Sequence, residues 1–157
     1  MAREIVQQDI SKVRALIQKV LGVEDYKTIA RMGGLTNHTY HVTLESGEEY
    51  VVRIPGEGTE EMIVRNDEKV STALACDLEI DADLLYFGED GSKVSKYIPN
   101  AVTMSSETLK ESHRIDQMAA IFRKLHTCGQ DTGVPFEVFD MAASYEKIIA
   151  NKNVPMY

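Results

Sequence analysis

The stretch that most restricts the fold runs from Arg31 to Gly56, RMGGLTNHTYHVTLESGEEYVVRIPG. It reads as strand, glycine turn, strand, tight turn, strand. Residues 38–44 alternate, placing Tyr40, Val42 and Leu44 on one face and His41 and Thr43 on the other. The turn Glu45-Ser46-Gly47-Glu48 suits a hairpin, with Gly47 supplying the positive φ. In the next strand, residues 49–54, Tyr50, Val52 and Ile54 share one face while Val51 and Arg53 share the other. Arg53 is thus one charge inside an otherwise apolar run.

The flanking sequence adds helices and a second hairpin. Asp9 is placed to cap a first helix with Ile10, Val13, Leu16, Ile17 and Val20 on one face and Gly22 as its stop. Residues 26–32 form a short strand candidate, broken by Gly33-Gly34. Thr59 is placed to cap a helix after the third strand, with Glu60 and Glu61 in its first turn, where the dipole favours acids, and Met62, Ile63, Val70, Ala73 and Leu74 as its apolar face. Residues 80–87 and 93–98 pair as a hairpin turned by Glu89-Asp90-Gly91-Ser92. This order predicts an α+β fold whose sheet has about five antiparallel strands. Pro99-Asn100 interrupts, and from Ser105 onward the pattern is helical only. Leu109, Ile115, Met118, Ala119, Phe122 and Leu125 recur at helical spacing up to Gly129, and a second amphipathic stretch carries Met141, Tyr145, Ile148 and Ile149. The boundary is drawn at Pro99, giving units 1–98 and 99–157. The second unit, roughly 55 residues, is too small to bury its own apolar faces.

Composition excludes several classes. The chain has 157 residues, 43% hydrophobic and 27% charged, which fits a globular domain. Its net charge of −8 argues against a nucleic-acid surface, which needs clustered Lys and Arg. No run is apolar enough to span a membrane, and the N-terminus lacks an apolar signal core, so a cytoplasmic setting with Cys76 and Cys128 reduced is expected. His38 and His41 lie three apart on a strand and face opposite sides, a poor metal pair. His126 suits a helix C-terminus.

Two features point to a phosphate ligand. Backbone N–H groups of a glycine turn can converge on phosphate oxygens, and Gly33, Gly34, Leu35, Thr36 and Asn37 add a hydroxyl and an amide. A ligand-free Gly-Gly hairpin turn would read the same way. Arg53, among apolar neighbours, must reach water, pair or bind an anion. Glu68 on the following helix can pair with it, or with Arg65 three residues earlier.

The chain resembles the choline/ethanolamine kinase family, within the aminoglycoside-phosphotransferase-like branch of the protein-kinase-like fold. The resemblance rests on GGLTNHTYHV (33–42), EYVVRIPGEGT (49–59), VRNDEKVSTALACDLEIDADLLYF (64–87), KYIPNA (96–101) and IFRKLHTCG (121–129). It implies a kinase-like small lobe followed by the first helices of an incomplete α-helical large lobe. It implies that Gly33, Gly34, Leu35, Thr36 and Asn37 cover the ATP phosphates and that Arg53 contacts them. Val51 would line the adenine pocket, and Lys96, Tyr97 and Ile98 would form the hinge. Either Asp67 or Glu68 would pair with Arg53; the family's spacing favours Glu68. The implied reaction is phosphoryl transfer from ATP, with Mg2+, to a small amino alcohol, choline foremost; ethanolamine, thiamine and aminoglycoside kinases share the architecture.

One family element has no counterpart here. The catalytic loop, approximately HxDxxxxN, and the metal-binding Asp segment after it are matched by none of His38, His41, His113 or His126, so no catalytic or metal-ligating residue is assigned. The sequence stops at Val154-Pro155-Met156-Tyr157, about where that loop would be approached. The expectation is therefore the ATP-binding portion of a longer enzyme, inactive alone, whose large-lobe helices expose apolar faces and self-associate. The alternative is a non-catalytic nucleotide-binding or interaction module.

Overall fold

The computed structural model describes residues 2–34 and 36–151, and the side chains from residue 7 onward. Leu35 and the final Val154-Pro155-Met156-Tyr157 lie outside the described residues. The elements run α1 (Ala2–Leu21), β1 (Tyr26–Arg31), β2 (Asn37–Leu44), β3 (Glu49–Pro55), a 3-10 turn at Thr59–Glu61, α2 (Arg65–Asp77), β4 (Leu84–Phe87), β5 (Lys93–Lys96), a second 3-10 turn at Thr108–Lys110, α3 (Ser112–His126) and α4 (Val138–Asn151). The five strands form one antiparallel sheet in the order β1-β2-β3-β5-β4. The fold is α+β, as the meander and second hairpin require.

The strand alternation read from the sequence holds. Tyr40, Val42, Leu44, Tyr50, Val52, Ile54 and Val94 face one side and form the core with Val13 and Ile17 of α1. Each fully buried aliphatic side chain contributes about 1.5–3 kcal/mol, so this α1–sheet contact anchors the fold. Gly22, at φ +73, ends α1 through its N–H to Gln18 O at 2.9 Å, and Gly47, at φ +89, turns β2 into β3.

Three expected helix starts are corrected. Asp9 does not cap α1 but sits in its interior, only 5% exposed. Its carboxylate accepts the Tyr40 hydroxyl at 2.9 Å and lies 2.5 Å from His38 Nδ1. Two β2 side chains thus satisfy a carboxylate that would otherwise be buried unpaired. Thr59 does not cap a continuous helix either. It opens a separate 3-10 turn, and α2 begins only at Arg65 after Val64, which has extended backbone and offers no side-chain cap. No residue of α2 is buried, and Met62 and Val70 are exposed, so the expected broad apolar face is not covered. Finally, Ser105 precedes a 3-10 turn rather than a helix, and α3 starts at Ser112. The second hairpin is shorter than expected, its strands beginning at Leu84 and ending at Lys96.

Burial divides the chain unevenly. Among the described residues none beyond Ser95 is buried. Ile115, Ile121, Phe122, Phe136, Val138 and Phe139 are exposed, Phe136 at 76% and Phe139 at 89%.

Candidate nucleotide site

The sheet face opposite α1 carries the candidate site. On it, β3 presents Val51 and Arg53, in register with His41 and Thr39 of β2 on one side and Ser95 and Lys93 of β5 on the other. Glu49 Oε1 lies 3.0 Å from His41 Nε2, and the Tyr97 ring stacks on His41 at 4.1 Å between centroids. His38 points the other way, to Asp9. The two histidines therefore diverge, as strand alternation requires. Among the described residues no cluster of three or more His, Cys, Asp or Glu is placed to hold a metal ion.

Arg53 is the centre of this face. Its Nη2 lies 2.5 Å from Glu68 Oε1 and donates to Gly91 O at 2.9 Å, and its guanidinium sits 5.9 Å from the Phe87 ring centroid, within cation–π range. The choice left open between Asp67 and Glu68 is resolved in favour of Glu68. Its other oxygen, Oε2, accepts from Arg65 Nη1 at 2.9 Å. One carboxylate thus serves two guanidiniums, all three side chains being less than a fifth exposed. Within this triad one positive charge is in excess, and the Asp90 carboxylate of the adjoining turn also interacts with Arg65. Arg53 Nε is buried without a hydrogen-bond partner. A surplus cation with an unused donor suits an anionic ligand, and the chemistry of this donor set fits phosphate oxygens.

The glycine turn meets the same region from β2. Gly34 has φ +151, and a Cβ there would lie 2.3 Å from Asn37 O, so only glycine fits. Gly33 faces open space and is exposed. Thr36 is exposed and its carbonyl accepts from Gly56 N at 3.0 Å. Asn37 begins β2 with its Oδ1 buried and unpaired. Of the hinge residues, Lys96 N donates to Asp83 O at 3.0 Å and Tyr97 N to Glu49 O at 3.1 Å. The Lys96 ammonium pairs with exposed Asp83, which raises its pKa. Ile98 is 51% exposed, and among the described residues no backbone hydrogen bond engages it.

Sequence reasoning missed Thr59, Arg65 and Gly91 as partners in this site. The sequence marks Thr59 as a cap and Arg65 only as a local partner of Glu68. Their approach to Arg53 depends on the loop after β3 and on the β4–β5 turn, which no periodicity encodes. In that turn burial pushes the Asp90 carboxyl up, but the Ser92 hydroxyl and backbone N–H outweigh it and hold Asp90 below its ordinary value. A cavity of about 640 Å³ lies beside this turn, lined by Lys12, Leu16, Ile54, Thr59 and Asp90 among others, but it includes neither Arg53 nor the glycine turn.

The model of the choline/ethanolamine kinase family matches residues 29–154. The chain belongs to the choline/ethanolamine kinase family. Among solved structures it is similar to choline kinase LicA from Streptococcus pneumoniae, with a TM-score of 0.77 and 30% identity over 90% of this chain and 49% of that one. A LicA structure in complex with AMP gives a TM-score of 0.73 and 31% identity over 88% of this chain and 48% of that one. Protein LicA of Haemophilus influenzae is 28% identical over 124 residues, 78% of this chain and 36% of that protein. The chain thus spans about half the length of these solved relatives and about a third of the Haemophilus one. Within the family-matched region lie the second half of β1, β2, β3, α2, the second hairpin, α3 and α4; α1 precedes it.

Proposed function

We propose that this chain forms the ATP-holding portion of a cytoplasmic small-molecule kinase whose acceptor is an amino alcohol, choline foremost. The observation that carries the reading is the Arg53–Glu68 pair, set on the sheet face opposite α1 and linked to a glycine turn. The AMP complex of a LicA relative supports a nucleotide ligand, and the LicA relatives support choline over ethanolamine, thiamine or an aminoglycoside as acceptor.

In phosphoryl transfer the protein mainly positions reactants and offsets charge. Glu68 fixes the Arg53 guanidinium so that its surplus charge meets the ATP phosphates. Gly33, Gly34, Thr36 and Asn37 cover those phosphates with backbone donors. Val51, beside Tyr97 and His41, offers the adenine an apolar edge. Among the hinge residues Lys96 and Tyr97 have spent their N–H groups, so Ile98 donates to the base. Mg2+ supplies further charge neutralisation on the phosphates when bound. The lobe boundary falls at residues 98/99, after Ser95, the last buried residue among those described.

Thermal melting with MgATP tests the reading. A ligand at a hundredfold excess over its Kd adds about 2.7 kcal/mol to the native state, a rise of roughly 5–11 °C for a domain of this size. Arg53→Ala is expected to abolish that rise while the ligand-free melting temperature falls far less. No rise in the wild type would contradict nucleotide binding, and equal loss of binding and folding would make Arg53 structural.

A further inference from the structure

Beyond the Arg53–Glu68 pair, a continuous hydrogen-bonded relay runs from the glycine turn to Arg53. Gly56 N donates to Thr36 O at 3.0 Å, and the Thr59 hydroxyl donates to Gly56 O at 2.8 Å. Thr59 Oγ1 in turn accepts from Arg65 Nη2 at 2.6 Å. Arg65 Nη1 donates to Glu68 Oε2, whose other oxygen holds Arg53, and Arg53 Nη2 ends the relay on Gly91 O. The links come from the turn before β2, the loop after β3, a 3-10 turn, α2, β3 and the second hairpin.

Packing shows that this relay is built in. Thr59 is 4% exposed with its hydroxyl used as both donor and acceptor. A Cβ at Gly56 would come within 2.3 Å of Thr36 O, and one at Gly91, where φ is +86, within 2.6 Å of Arg65 Nε. Both glycines therefore admit contacts that any side chain would push apart. Arg65 meets the two acceptors from two separate nitrogens of one planar fork, whereas a lysine would have to reach both from a single nitrogen position.

We propose that Thr59 and Arg65 are positioning residues that hold the phosphate-covering turn and the Arg53 guanidinium in one mutual geometry. This rests on the nucleotide reading above and adds to it residues that touch no ligand. Their influence falls on the phosphate end of the nucleotide and not on the base, because the relay joins only phosphate-facing groups.

Calorimetric titration of the whole chain with MgATP and with adenosine tests this, alongside melting temperatures. A buried hydrogen bond to a charged group makes a difference of about tenfold in an equilibrium. Thr59→Val and Arg65→Lys should each weaken MgATP by about that factor and leave adenosine within about twofold. Thr59→Ser, which keeps the hydroxyl, should restore wild-type affinity. Thr59→Val added to Arg65→Lys should cause little further loss, since the relay is already broken. Parallel losses for both ligands, additive losses in the double variant, or unchanged MgATP affinity would each overturn the relay while wild-type binding stands. A wild type that binds neither ligand would overturn the nucleotide reading itself, and the relay's role with it.

Discussion

Tyr40 shows how one residue ties the N-terminal helix to the sheet. Its ring is 1% exposed and its hydroxyl donates to Asp9. Burial, then the hydrogen bond and charge of Asp9, push its pKa up from 10.0 to about 12. A raised folded-state pKa means that the neutral form stabilises the fold. That contribution is complete below pH 10 and is lost as pH rises through about 12. Two units correspond to roughly 3 kcal/mol. Lys19 and Lys96, also raised, lose their partners' support in the same direction, so the comparison must isolate Tyr40. Denaturant melts between pH 10 and pH 12 should show a smaller loss of stability for Tyr40→Phe than for the wild type. At neutral pH the same variant should cost about 1 kcal/mol. Identical slopes for both proteins would remove Tyr40 from the account. Nothing in the sequence disclosed this contact. Asp9 precedes an apolar-periodic run and so looks like a cap, and only the packing of α1 across β2 gives it His38 and Tyr40 as partners.

At the scale of elements, the glycine turn and the strands were legible because their signals are local. Alternation placed Tyr40, Val42, Leu44, Tyr50, Val52 and Ile54 on one face, and the structure buries all six together. The pairing of Arg53 with the helix after it was legible only as a choice between two acids, since helix phase there depends on where α2 starts. The start differs from the sequence pattern: Thr59 carries a cap signature, yet its hydroxyl is spent on Gly56 and Arg65 in a separate turn. Within the glycine turn the two glycines are unequal. Gly34 is at positive φ with Asn37 O where a Cβ would stand, whereas Gly33 has open space. Gly34→Ala should therefore destabilise by more than about 1 kcal/mol and weaken MgATP binding. Gly33→Ala should leave stability within about 0.5 kcal/mol. Parallel melts and titrations decide the matter, and equal effects at both positions would contradict the turn geometry.

On the scale of the whole molecule, the sheet and α1 hold the hydrophobic core of the described residues, while α3 and α4 carry exposed aromatic and aliphatic side chains. The sequence disclosed this imbalance, because the amphipathic stretches after Ser105 have too few residues to cover one another. Such faces are expected to associate. Sedimentation velocity across a concentration series should show the chain self-associating, and Phe139→Glu, at an 89% exposed position, should reduce it; a monomer throughout would contradict it. The central claim concerns a location: the nucleotide sits on the Val51–Arg53 face under the glycine turn. Amide chemical-shift mapping with MgATP tests it most directly. The largest shifts are expected at Gly33, Gly34, Thr36, Val51, Arg53 and Ile98. Shifts confined instead to Lys12, Leu16, Thr59 and Asp90 around the neighbouring cavity, or none anywhere, would contradict it.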